Sequence, residues 1–487
     1  MRDCPGGSPP GWGDYMAVVD TVLQRAGEKT GESLERLFAL LRFPTIGTDP
    51  AYHGRCREAA IWLRDYLQSF GLQARLEETT GRPVVIADHS PKDLPSHAPR
   101  VLFYGHYDVQ PPDPLDLWTS PPFEPQIRKG KDGKDRIFAR GASDDKGQLM
   151  TFLEASRAWI EIHGRLPFRL TVLLEGDEEG DSTHLDRFVA AHRKALRADV
   201  AFICDTGMWD RQTPAITTRL RGCIAEEIVI TGPNKDLHSG YHGGPARNPI
   251  RVLTKILAGM HDRNGRVAIP GFYDGVGTVP VKTRRRWKSL GFSERRFLGD
   301  IGLAIPAGEK SYPVYEQVWS RPTAEFNGIW GGYTGAGSKT VIPSVASAKM
   351  TFRLVGGQDP KHVRKGLKKF VRERLPKDCR VSFASQGGDS TGVTVAEESA
   401  WVQLAGKALK AEWGREPVLA ADGGSIPVVG MFQKHLGINS LLVGFSQDDD
   451  CAHSPNENYD VASFERGIRS WTRIIAGVAG MEGRAVT

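Results

Sequence analysis

The chain has 487 residues, 40% of them hydrophobic and 25% charged, a composition that points to a soluble globular protein with a large core and, at ~150 residues per domain, two to four domains. Its longest apolar runs, such as Val101–Tyr104 and Leu170–Leu174, fall far short of the ~20 residues that span a bilayer. The net charge of +6 is mild; the one compact basic cluster, KTRRRWK (282–288), has no nucleic-acid reading module beside it and is read as a solvated loop, so nucleic acid and membrane are not expected partners.

Along the chain, MRDCPGGSPPGWGDY has no basic start followed by an apolar stretch and does not read as a secretion signal. Residues 1–15 are expected to be disordered, with Met16 an alternative start. SLERLFALLRF (33–43) and CREAAIWLRDYLQSFGL (56–72) carry apolar residues at helical spacing. Short apolar runs follow between helical stretches: VLFY (101–104), FRLTVLL (168–174), VAFIC (200–204) and, far downstream, SLLVGF (440–445). Continuous apolar strands between amphipathic helices predict a mostly parallel sheet covered on both faces, an α/β domain. KGQLMTFLEASRAWIEIHG (146–164) reads as a crossover helix. From about 219 the texture changes. CIAEEIVITG (223–232) and SAKMTFRLVGG (347–357) alternate as strands do, and PKHVRKGLKKFVRERL (360–375) is a basic amphipathic helix. An α+β unit over 219–395 is therefore expected within an α/β domain made of 1–218 and 396–487, the latter closing with the helix SFERGIRSWTRIIAGVAGM (463–481). Six cysteines without a C-x-x-C pair favour reduced thiols and a cytoplasmic location.

In open α/β sheets ligands bind beyond the carboxyl ends of the strands. Those ends carry His106 and Asp108; Glu178 and Glu179; Asp205; and Asp448–Asp450 with His453, while Asp144 and Asp145 precede the crossover helix. The stretch LLEGDEEGDS (173–182) places five carboxylates within seven positions. It is compatible with a solvated loop, with a helix start complementing the macrodipole, or with a strongly positive partner. Two imidazoles and several carboxylates sent to one rim favour the third, since they would repel one another without a divalent cation. Mixed His/carboxylate ligation suits zinc, with manganese or cobalt as substitutes, and two ions sharing one carboxylate would clamp a reacting centre.

GHYDVQP, RGASDDKGQ, EGDEE, ICDTGMW, DLHSGYHGG, GGYTGAGSKTVIP, DGGSIPV and AHSPNENY stand in the order found in the M20 family of metallopeptidases. With WSRPTAEFNGIWGGY (319–333), the chain resembles the dipeptidase branch of cytosolic non-specific and carnosine dipeptidase type over about 33–480. The resemblance implies a two-zinc catalytic domain with an inserted lid that also serves dimerisation, hence a homodimer acting on small peptides. It implies that His106, Asp144 and Asp205 hold one metal, and Asp144, Glu179 and His453 the other, with the peptide after Asp144 often cis. Asp108 would orient the His106 ring, and Glu178 would be the general base towards the attacking water. His238 would stabilise the oxyanion, reaching in from the partner subunit, while Thr340, Arg353 and Ser425 would hold the polar ends of the substrate. Asp177 and Asp181 have no implied role and are read as solvated.

Two departures fall near the substrate end: Gln386 in SQGGDS replaces a His of mammalian-type dipeptidases, and Ala421-Asp422 stands for their Arg-Glu. An amidase or deacylase acting on N-acyl amino acids is the nearest alternative, and a non-catalytic binding protein on the same fold a further one. GYTGAGSKT (332–340) only approaches a phosphate loop, because Ser338 intrudes before Lys339. No G-x-S-x-G surrounds Ser425. Cys204 and Cys451 are read as small buried fillers beside Asp205 and His453.

Overall fold

A computed structural model describes residues 12–180, 182–385, 387, 389–479 and 481. Residues 1–11, Asp181 and Gln386, about which the sequence raised expectations, lie outside the described residues. The described chain divides into two compact units, one of residues 1–218, 395–420 and 431–487, the other of 219–394 and 421–430.

In the first unit the four apolar runs form the centre of one sheet. Strands Arg169–Glu175, Arg100–His106, Val200–Ile203 and Ser440–Leu442 lie side by side and parallel. Gln73–Glu77 and Val84–His89 extend the sheet antiparallel beyond Arg169–Glu175. Six consecutive residues of Arg100–His106 are buried, which requires cover on both faces of the pleat. Helix Lys146–His163 packs on this strand and is itself packed by Val461–Ala479. Their interface holds an aromatic cluster, with Phe103 and Phe152 stacked at 4.0 Å and Trp471 edge-on to Phe152 at 5.3 Å.

Residues 12–15, expected to be disordered, begin the helix Trp12–Glu28. That helix exists because Val19, Val22, Leu23 and Ala26 recur at helical spacing and are buried, and it packs against Lys146–His163 and Val461–Ala479.

The second unit is a four-stranded antiparallel sheet in the order Thr323–Gly331, Val345–Leu354, Gly222–Thr231, Arg380–Ser385. Gly222–Thr231 alternates buried and half-buried residues throughout. Its buried row, Ile224, Ile228 and Ile230, joins Val252 and Ile256 of helix Pro249–Ala258 and Leu367 and Phe370 of helix Pro360–Arg374 in one core. Both helices start alike: Asn248 and Asp359 accept a bond from the backbone N–H two residues on, with proline at the first helical position.

Two expectations are corrected here. The basic cluster 282–288 lies in a helix, Val281–Ser289, not a solvated loop: Trp287 is fully buried against Trp319 and Tyr315, which docks the segment. Residues 421–430 pack with the second unit rather than the first, because Arg221 binds the carbonyls of Gly423 and Gly424 and Arg353 binds Ser425.

Candidate metal centre

The parallel strands deliver their polar ends to one rim of the first unit. His106 ends its strand, Glu178 and Glu179 follow Arg169–Glu175, Asp205 follows Val200–Ile203, and His453 lies beyond Ser440–Leu442. Two triads form there. His106, Asp144 and Asp205 bring one ligand atom each within 4.8 Å of one another, and so do Asp144, Glu179 and His453. Asp144 belongs to both, one oxygen to each: Oδ1 lies 3.2 Å from His106 Nε2 and Oδ2 lies 2.8 Å from His453 Nε2. Glu179 Oε2 is 3.2 Å from His453 Nε2, and Asp205 Oδ2 is 4.0 Å from His106 Nε2. The Asp144–Asp145 peptide is cis.

The donor set fits divalent cations. His106 is fully buried, and its Nδ1 lies 3.2 Å from the main-chain carbonyl of Asp108. That bond places the proton on Nδ1 and leaves the Nε2 lone pair facing two carboxylates. Nε2 has no hydrogen-bond partner. A buried lone pair aimed at anionic oxygens is repulsive unless a cation or a proton lies between.

The cluster responds electrostatically as an assembly short of positive charge. Burial lowers the affinity of His106 for a proton, but Asp108 and Asp144 outweigh it and hold the imidazole well above its ordinary range. Burial pushes Asp205 well up, reinforced by Asp145 and Asp144. Burial also raises Glu178 well above the usual carboxylate range; His106 opposes this, while Asp205, Glu179 and Asp108 add to it. Asp144 alone goes down: burial opposes, but His106 and His453 prevail. Such sites exchange protons for metal ions.

The surrounding polar groups hold this loop set in place. The Asp108 carboxylate, expected to orient the His106 ring, lies 3.5 Å from Nδ1 and also accepts the backbone N–H groups of Glu178 and Glu179, at 3.2 and 3.0 Å. Gln110 Nε2 donates to Glu179 Oε2 at 2.8 Å. Asp145 accepts the His106 backbone N–H. Asp177, expected to be solvated, is buried: it accepts the Arg82 backbone N–H at 2.7 Å and faces the Arg82 guanidinium. Asp449 pairs with Arg136 and Arg211, and Asp450 accepts from the Ser143 hydroxyl. Cys204 is buried and receives the Trp471 indole N–H, as a filler would. Cys451 is exposed, contrary to expectation, on a turn where Cys451, His453 and Asn456 all have positive φ.

The remaining predicted residues lie in the second unit as two pairs. His238 and Thr340 are neighbours, since Ser239 N–H donates to the Thr340 carbonyl and Leu237–His238 pairs with Val341–Ile342. His238 Nδ1 accepts the Gly240 N–H at 3.0 Å, so its proton sits on Nε2, on an exposed ring. Arg353 donates to the Ser425 hydroxyl at 2.9 Å. Sequence reasoning missed Arg221, whose backbone and side chain tie down Gly423 and Gly424 beside Ser425. Burial and the like charge of Arg353 depress the Arg221 guanidinium to about 10. A single arginine in LRG carries no sequence signal of this kind.

Residues 102–477 match the model of peptidase family M20/M25/M40. The chain belongs to this family. It is 31% identical to the Cys-Gly metallodipeptidase DUG1 of Candida albicans over 90% of this chain and 92% of that one. It is 26% identical to the human Beta-Ala-His dipeptidase over 76% of this chain and 73% of the relative. The crystal structure of an M20 family metallo-carboxypeptidase from Sulfolobus solfataricus superposes with a TM-score of 0.81 at 30% identity, covering 92% of this chain and all of that one.

Proposed function

We propose that the protein is a metal-dependent dipeptidase using two divalent cations, zinc being the best match to the mixed imidazole and carboxylate donors. The single observation that carries this reading is the pair of triads sharing Asp144. The names of its relatives, Cys-Gly and Beta-Ala-His dipeptidases, make dipeptides the substrate class to test. His106, Asp144 and Asp205 would hold one cation and Asp144, Glu179 and His453 the other. When bound, the cations supply Lewis-acid polarisation of the scissile carbonyl and acidify water. Glu178, adjacent to Glu179 and outside both triads, takes the proton of the attacking water and passes it to the leaving amine. Asp108 positions the Glu178–Glu179 backbone and, through its carbonyl, the His106 tautomer. His238 is suited to the developing oxyanion because its Nε2–H is free to donate. Arg353, with Ser425, is suited to a substrate carboxylate, and Thr340 to a polar end of the substrate.

We also propose a homodimer through the second unit. Thr323–Gly331 is paired on one side only among the described residues, and Phe326, Ile329 and Trp330 on it are exposed.

The deciding experiment is metal analysis of the purified protein together with hydrolysis of Cys-Gly, β-Ala-His, other dipeptides and N-acyl amino acids, with and without chelator. About two cations per chain and chelator-sensitive dipeptide cleavage are expected. Cleavage of N-acyl amino acids alone would replace the dipeptidase reading with a deacylase, and absence of both metal and turnover after zinc or manganese addition would end it.

A further inference from the structure

Glu457 belongs to neither triad, yet it lies where both are assembled. Its side chain is fully buried. Oε1 accepts the backbone N–H groups of Ser143 and Asp144 at 2.9 and 3.0 Å, and Oε2 accepts the Gly141 N–H at 2.9 Å and Arg140 Nη1 at 2.8 Å. Three of the four partners are main-chain amides of the loop that presents Asp144. We infer that Glu457 is a positioning residue that preforms this loop for its cations; the inference rests on the reading of Asp144 as their shared ligand.

The loop has few alternatives. It leaves its strand at Phe138 and turns through Gly141 at φ +84°, so its amides have no ladder to join. Buried N–H groups need an acceptor, and one carboxylate offers enough lone pairs for three of them plus a guanidinium. Arg140 supplies the compensating charge: it is 1% exposed, donates also to the Pro111 carbonyl and lies over the Trp118 ring. A buried ion pair is weak evidence for net stability, so what its oxygens hold explains it better than the pairing itself.

The clamp also joins two distant parts of the sequence. Ala139 N–H donates to the Glu457 carbonyl, Asn458 pairs with Phe138, and the Ser143 hydroxyl donates to Asp450. The segment that carries His453 is thereby fastened along the segment that carries Asp144. With the Asp144 backbone fixed, its two oxygens are directed to different triads before any ion arrives.

The test uses the full-length protein stripped of metal. Glu457→Gln keeps the shape but turns an NH₂ group towards N–H donors on one side of the clamp. Cobalt(II) titration should show binding weakened roughly 10–100-fold, the usual effect of losing a partner that orients a ligand, with an altered visible absorption band at saturation. Glu457→Asp, which keeps charge but loses reach, should fall between. Unchanged affinity and spectrum would overturn the proposal. Amide hydrogen exchange of the metal-free unmutated protein needs no variant to fold: Gly141, Ser143 and Asp144 should already be protected. Free exchange of these amides until metal is added would also overturn the clamp. If the unmutated protein bound no cobalt, the reading of the triads would fail, while amide protection would still judge the clamp.

Discussion

Glu178 and Glu179 are consecutive carboxylates with different fates, and backbone direction separates them. Glu179 turns to His453 and Gln110; Glu178 belongs to neither triad and is pushed towards its protonated form by burial and then by neighbouring carboxylates, with His106 opposing. Cations in the triads would restore its anionic form, the state a general base needs. Glu178→Gln should leave metal content at its original level and lower kcat by about 10²–10⁴, the range for a lost general base. Parallel metal analysis and steady-state kinetics check this, and undiminished turnover would sink the assignment. The neighbouring side chains show what a sequence conveys. Paired Glu, His and Asp at strand ends are legible because their chemistry is conspicuous. That Asp177 holds Arg82 and that Asp108 holds two backbone amides is not legible, because each depends on a partner brought close only by folding.

At the scale of elements, the four central strands were legible because continuous apolar runs admit few settings other than a sheet covered on both faces. Helix Val281–Ser289 was not legible: its formation depends on Trp287 finding Tyr315 and Trp319, some thirty residues downstream, while its local sequence is largely basic. The junction after Arg169–Glu175 is a third case, in which one small residue sets the path of the Glu178–Glu179 loop. A Cβ on Gly176 would lie 2.4 Å from the Tyr107 hydroxyl oxygen, which is itself committed to the Pro83 carbonyl at 2.5 Å. The hydroxyl cannot give way without straining that bond, so the loop must shift instead. Gly176→Ala should therefore destabilise the protein by about 1–3 kcal/mol, the usual penalty of overpacking, and should weaken metal binding because the loop that presents Glu179 shifts. Denaturant unfolding with a metal titration checks both; wild-type stability would show that the loop yields at no cost.

For the whole molecule, the candidate metal centre links stability to pH with a sign fixed by the folded-state shifts. In metal-free protein, burial raises Glu175 from its ordinary 4.5 to about 8, and Asp144 and Glu179 raise His453 from 6.5 to about 10. Glu178, Asp205 and His106 also lie well above their ordinary values. Each of these groups binds its proton more tightly folded than unfolded, so its contribution is complete below the unfolded value and is lost as pH rises through the folded one. Glu175 loses its share between about pH 4.5 and 8, and His453 between about 6.5 and 10. Asp144 has the opposite sign, but its contribution is lost only as pH falls below the ordinary carboxylate range. The metal-free protein should therefore melt at progressively lower temperature from pH 5.5 to 8. Divalent cations bound in the proposed triads would replace these protons, so zinc affinity should rise over the same interval and binding should release protons. Calorimetric melting with chelator and with zinc reads the first effect, and titration in two buffers of different ionisation enthalpy reads the second. A chelated protein that became more stable with rising pH, or zinc binding without proton release, would mean that the buried carboxylates are already ionised without a cation, and that the triads are not held together by the charge balance argued for them.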